Sequence, residues 1–227
     1  MLPSPGAVLM AFINNFDVMM QQAGVTLQEA LYGLLIGIAL AFVMATLMDR
    51  FAFLRKALYP ILVVTQTIPT IAIAPLLVLW MGFDMAPKIT LVVITTFFPI
   101  AVGMLNGYES VDPEAINLMR AMGASRFQIF VYVKFPSALP AFFSGLRISA
   151  AYAVVGAVVS EWLGGFEGLG VYMTRVKKAY AFDKMFAVII FISVISLVLM
   201  GVISIIEKSS MPWKRKAVSR TRRAWMV

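Results

Sequence analysis

Apolar residues in this chain run in blocks, not in the one-sided stripes of a soluble helix or the alternation of a strand. Five blocks, residues 30–48, 58–83, 89–105, 138–162 and 185–206, are candidates to cross a bilayer. At about 1.5 Å per helical residue each spans most or all of roughly 30 Å of hydrocarbon. None shows the short alternating segments of a transmembrane barrel. The pattern predicts an all-α polytopic membrane protein with five visible transmembrane helices. Upstream, residues 8–20 are interrupted by Asp17 and follow no basic leader. They read as an amphipathic helix at the outer interface, not as a signal peptide.

Composition sharpens this picture. Of 227 residues, 61% are hydrophobic and 13% charged, too apolar for an ordinary soluble domain. The absence of cysteine excludes disulfides and thiolate chemistry, and the absence of histidine removes the usual proton shuttle and metal ligand. No catalytic or metal-binding set is expected. The net charge of +8 does not point to nucleic acid, because the basic residues gather at span ends and in the tail. Thirteen of them fall in residues 49–56, 108–136 and the tail, five on the other side, and Arg147 inside a span. That bias places the C-terminus in the cytoplasm. It leans on the tail, without which the count is six to five. Residues 1–25 are then an external or interfacial segment, 26–207 a transmembrane domain and 208–227 a basic tail that attracts anionic headgroups. Five spans ending inside leave the N-terminus outside, so a sixth span upstream and a genuine five-span chain both stay open.

The loop at residues 108–136, between the third and fourth visible spans, carries the most information. Asp112-Pro113-Glu114 is a helix start: Asp caps orphan amides, Pro fits the first turn and Glu suits the positive end of the dipole. Gly123 supplies the stop. Ser125 caps a second helix, 126–133, before Pro136 and Pro140 redirect the chain into the next span. Ile116, Met119 and Met122-Gly123 form a small apolar surface at helical spacing, suited either to a partner or to the ends of the protein's own spans.

Glu114-Ala115-Ile116, then Gly123, then Val133-Lys134-Phe135-Pro136, resembles the EAA loop of bacterial ABC importer permeases. That pattern reads E-A-A, a short gap, glycine, nine residues, I-x-L-P. Here Ile116, Val133 and Phe135 replace its second alanine, isoleucine and leucine, all remaining apolar, and the gap from Gly123 to Val133 is kept. Leu2-Pro3-Ser4-Pro5, Gln66-Thr67-Ile68-Pro69 with Pro75 and Trp80, Val111-Asp112-Pro113, Gly123-Ala124-Ser125-Arg126 and Gly168-Leu169-Gly170 resemble the nitrate/sulfonate/taurine branch. That branch also includes permeases for thiamine-precursor pyrimidines. The resemblance implies a multi-pass subunit in the bacterial inner (plasma) membrane, with a first span upstream of this Met1. It also implies that the loop is a coupling helix docking on a cytoplasmic ATPase through Glu114, Ala115, Ile116, Met119, Met122, Gly123, Ala124 and Arg126. The implied partners are two ATPase subunits holding ATP and Mg, a second, identical permease copy, and an extracytoplasmic binding protein. No cofactor is expected on this chain.

The remaining residues fit a transport path. There is no G-x-x-x-x-G-K-[ST] loop, since Gly164, Gly165, Gly168 and Gly170 lack the lysine. The chain is therefore not an ATPase. Gln66 and Thr67 sit mid-span between Thr65 and the prolines Pro69 and Pro75, which free backbone carbonyls and favour a kinked, pore-lining helix over simple interhelical bonding. Arg147 either snorkels, faces polar surroundings or attracts an anion. Glu161-Trp162 reads first as an interfacial anchor, with gating or receptor contact as a second role. Gly145, Ser149, Ala150, Ala153 and Gly156 form a small-residue seam for a bundle or a dimer. Residues 164–183 are expected outside and partly helical, with Tyr172, Met173, Val176 and Tyr180 on one face. The substrate expected is a small organic nutrient, a pyrimidine or a sulfonate-like anion. An ion-coupled secondary transporter would need carboxylates within the spans, and a scaffold would leave the proline-kinked span unexplained.

Overall fold

In a computed structural model describing residues 3–212, every regular element is helical. The basic tail from residue 213 onward, and Leu2, lie outside the described residues. The long helices are α2 (Phe16–Arg50), α5 (Met85–Glu109), α8 (Phe135–Leu163) and α10 (Phe182–Ser210). All four are long and apolar enough to cross a membrane, with α8 continuing a helix that starts at Arg126.

Small residues let these helices close on one another. On α8, Gly145 lies against the Pro99 backbone of α5, so that an added methyl group would strike the Pro99 carbonyl. Four residues further on, Ser149 Oγ donates 2.8 Å to the Thr96 carbonyl, and Ala150 and Ala153 are fully buried. The small-residue seam is thus internal to the bundle, an α5–α8 contact. The core around it is Ala30, Leu34, Ile100, Phe143 and Val154. Outward faces of α2 and α10 carry exposed Leu35, Leu40, Leu197 and Ile205. That is the expected distribution for lipid-facing or subunit-facing helices, where apolar burial within the chain is not required.

Three expectations need correction. The second predicted span, 58–83, is not one helix: α3 (Ala52–Thr65) and α4 (Thr70–Met81) meet at 100°. Pro69 has no N–H to donate and biases Ile68 away from helical geometry, and the chain turns between them. The first predicted span is longer than read, since α2 begins at Phe16 and reaches roughly 52 Å in 35 residues. Residues 8–20 are correspondingly split at Asn15. The short helix α1 (Pro5–Asn14) is capped by Ser4 and packs on α10 through Phe12 and Phe191, 5.8 Å apart edge-to-face. Finally, Pro136 and Pro140 do not redirect the chain. Helix α7 (Arg126–Ile129) passes through a π turn (Phe130–Lys134) straight into α8. The widened turn makes room for the proline ring that a regular helix would drive into the preceding carbonyl.

Candidate functional site

The bundle has two chemically distinct ends and a broken span between them. At the first end, Asp112 Oδ1 accepts from the Glu114 amide at 2.9 Å and starts α6 (Pro113–Ala121). The helix stops as its sequence requires: Gly123 has φ +80, and the amides of Gly123 and Ala124 donate back to Arg120 and Met119. This is the paired closure that a left-handed glycine makes possible. Ser125 and Gln128 then form a reciprocal capping box for α7.

No residue of α6 is buried. Glu114 is exposed, Ala115, Ile116, Met119 and Ala124 are half-buried, and Gly123 and Arg126 are open. The outward apolar surface is formed by Leu118, Met122 and Phe127, which are 63%, 73% and 75% exposed. Phe127 was not among the residues singled out from the sequence. Its signal was the apolar side chain directly after the Ser125 cap, at the start of a helix too short to bury it. Ile116 and Met119 turn partly toward the bundle instead.

Behind this helix pair, ion pairs fasten the span ends. Lys134 Nζ lies 2.7 Å from Asp49 Oδ1, Arg55 pairs with Glu109 at 2.5 Å and Arg147 with Glu207 at 2.9 Å. Arg147 therefore neither snorkels alone nor stands as a free cation. It ties α8 to the end of α10.

Midway along the bundle, the α3–α4 break exposes Gln66, Thr67, Ile68 and Pro69. The hydroxyls of Thr65 and Thr67 donate to the carbonyls of Leu62 and Val64 at 2.7 and 2.8 Å. The polar residues thus close the helix end that the proline opens, and Gln66 keeps its amide available.

The opposite end holds a buried polar network that the sequence reading did not assemble. Thr26, Glu29, Lys88 and Glu161 are 1%, 1%, 5% and 2% exposed. Glu161 Oε1 accepts from Thr26 Oγ1 at 2.7 Å, and Oε2 accepts from the Gly170 amide at 2.6 Å. Thr26 Oγ1 in turn accepts from the Leu169 amide, Gln22 Oε1 from the Gly168 amide, and Lys88 Nζ lies 2.7 Å from Glu29 Oε1. Gly168 has φ +114, and a methyl group there would fall on the Glu161 carboxylate. The clasp joins α2, α5, α8 and the loop leading into α9 (Leu169–Lys178).

Glu161 is thus turned inward, its carboxylate held by Thr26 and Gly170, and it also lines the cleft that opens above it. Only its neighbour Trp162 reaches the surface. The missed signal was the spacing of Gln22, Thr26 and Glu29, which share one helical face. These polar residues had seemed to lie before the span, whereas they form its outer turns. On α9, Tyr172, Met173 and Val176 pack inward. Burial, reinforced by the Asp183 carboxylate, pushes the Tyr172 phenol above its ordinary value. Tyr180 is off that face, beyond the helix end at φ +56 and exposed. A cleft of about 490 Å³ opens above Glu161 between Phe83, Trp162, Phe166, Arg175 and Lys178. Among the described residues no group of three or more acidic, His or Cys side chains is gathered to hold a metal.

The described residues thus form a helical bundle with four helices long and apolar enough to cross a membrane, one helix pair bent by 100° and a glycine-stopped helix pair at one end. Residues 33–211 match the binding-protein-dependent transport system inner membrane component, and the chain belongs to that family. It is 36% identical to the formylaminopyrimidine transport permease protein ThiX of Halalkalibacterium halodurans, over 95% of this chain and 87% of that one. It is 31% identical to the riboflavin transport system permease protein RibX of Chloroflexus aurantiacus, over 94% and 80% of the two chains. The solved methionine ABC transporter MetNI, in an inward-facing conformation, superposes with a TM-score of 0.75 at 18% identity, over 86% of this chain and 97% of that one. The chain is the permease subunit of an ABC importer, a multi-pass inner-membrane protein. Subunits of this kind are non-catalytic and bind no cofactor. They associate with separate ATPase subunits and a binding protein.

Proposed function

We propose that α6 is the coupling helix, inserted into a cleft of the ATPase with Leu118, Met122 and Phe127 as its apolar contact and Glu114, Ala115, Ile116, Met119, Gly123, Ala124 and Arg126 framing it. The observation that carries this reading is the exposure of Leu118 on α6, which buries none of its residues, together with Met122 at its cap and Phe127 at the start of α7. A fold keeps such a surface dry only with a partner. The permease works as two identical copies around one path, with the C-terminus in the cytoplasm. ATP binding closes the ATPase pair and shifts the bundle between two arrangements through this handle. Gln66 and Thr67, exposed at the α3–α4 break, line the path.

The transported solute is a small neutral heteroaromatic nutrient of the thiamine-precursor pyrimidine class. Support comes from the ThiX relative, and from the pairing of two cations within the long helices: Lys88 with Glu29, Arg147 with Glu207. A sulfonate anion would find neither of them free. A taurine permease, TauC of Escherichia coli, is also a relative, 31% identical over 81% of this chain, which keeps the sulfonate reading as the second one.

The test is Gly123→Asp in the assembled transporter. A Cβ at that position meets nothing within 4 Å, and the strain that φ +80 puts on any side chain there is confined to the stop of α6. Insertion and folding should survive, while co-purification with the ATPase and ATP-driven uptake are lost. Normal uptake in that variant defeats the docking reading. Uptake of labelled formylaminopyrimidine against taurine, in proteoliposomes holding the full complex, decides the substrate.

A further inference from the structure

A cavity of about 780 Å³ lies where α6, α7 and the π turn meet the end of α2. Its wall carries four cations, Arg50, Arg120, Arg126 and Lys134, against the single carboxylate of Asp49. Lys134 is already paired with that carboxylate, at 2.7 and 2.8 Å. Arg120 and Arg126 have no carboxylate partner among the described residues, and Arg50 leans over the Phe51 ring at 5.5 Å. The wall also carries the apolar side chains of Leu47, Phe127 and Phe130. Leu47 lies on the last turn of α2, beside Asp49 and Arg50.

We propose that this groove binds the phosphodiester headgroup of an anionic phospholipid from the cytoplasmic leaflet. Arg50, Arg120 and Arg126 hold the phosphate, and Leu47 and Phe130 receive the glycerol and the first acyl carbons. Guanidinium forks match phosphate oxygens in pairs, and a basic pocket beside span ends on the cytoplasmic side suits such headgroups. A free phosphate would leave most of the volume and the whole apolar wall unused. An acidic protein segment would have to enter below α6, against the end of α2. The bound lipid would link α2, α6 and α7, and so hold the coupling handle against the membrane surface. This inference shares with the proposed function the assignment of this end to the cytoplasm, but it needs no ATPase.

The experiment uses the purified permease–ATPase complex, stripped of lipid in detergent and titrated with dioleoyl phosphatidylglycerol or dioleoyl phosphatidylcholine, with bound lipid counted by native mass spectrometry. The double variant Arg120→Gln/Arg126→Gln should retain phosphatidylglycerol roughly tenfold or more weakly, since each basic group near a headgroup contributes about 1 kcal/mol. Phosphatidylcholine binding should not change. Lys56→Gln removes an exposed charge outside the groove, and should stay within about twofold of the parent if the groove and not diffuse charge is responsible. Because Arg126 also lies in the loop proposed to dock the ATPase, the titration is repeated on the permease alone, which separates lost docking from lost lipid. Equal retention in the double variant overturns the proposal, as does an equal loss in Lys56→Gln. Full displacement by millimolar inorganic phosphate would make it a free-anion site. Lipid bound by the permease alone but expelled in the complex would assign the groove to the ATPase.

Discussion

The two ends of this bundle use the same chemistry, carboxylates against Lys and Arg, at opposite degrees of hydration. At the clasp end the Glu29–Lys88 pair is almost completely withdrawn from solvent. At the loop end Arg55 and Glu109 remain 47% and 39% exposed, with Lys134–Asp49 and Arg147–Glu207 between these limits. The difference decides what each pair does. A desolvated pair is costly to form and more costly to break, so it fixes one arrangement. An exposed pair is screened and nearly neutral in energy, so it holds span ends together without preventing them from shifting. The clasp end thus locks helices into register, and the loop end stays adaptable beneath the helix pair proposed to dock the ATPase.

The largest effect should come from Lys88→Met. It leaves Glu29 buried without its ammonium, and Oε2 of that carboxylate already has no hydrogen-bond donor among the described residues. Breaking one half of a buried pair costs about 3–5 kcal/mol. Thermal unfolding of the detergent-solubilised protein should fall accordingly, and Glu29→Met on top of Lys88→Met should recover most of the loss. A double variant no better than the single one would show that the network matters through shape and not through charge.

Next comes Gly168→Ala. Its left-handed φ and the Glu161 carboxylate at the place of the new methyl group act together. Backbone strain of this kind costs about 1–3 kcal/mol, and the loop into α9 should become open to protease before the bundle melts. Asp112→Ala removes the cap of α6 and should cost about 1 kcal/mol of local helix stability. Hydrogen exchange confined to residues 113–121 measures it. Uptake should fall more than global stability does, because α6 packs on little else.

How legible this was in the sequence differs between the two ends for a physical reason. The loop announces itself because Asp112, Pro113, Gly123 and Ser125 are local signals: each acts on backbone groups within a few residues. The clasp was not readable, because Glu161 is joined to Thr26 and to Gly170 by contacts that no local rule specifies. The broken span was half-legible. Pro69 and the threonines mark the disturbance, but whether a proline kinks a helix or turns it through 100° depends on what packs on either side. Pro136 and Pro140 show the converse, since the same residue type left α8 continuous after a π turn.

The smallest effect should come from Arg55→Met, and it is the one that tests the comparison most directly. Arg55 joins the first turn of α3 to the last turn of α5 through Glu109, at the end that the proposed mechanism requires to move. An exposed pair of this kind contributes about 0–1 kcal/mol, and less in high salt. The melting temperature should barely change. Salt should weaken the parent protein slightly and the variant not at all. If Arg55→Met instead destabilised the permease as much as Lys88→Met, the loop end would be as tightly locked as the clasp. Motion delivered through α6 would then have to enter the bundle elsewhere, with the α3–α4 break as the remaining flexible joint.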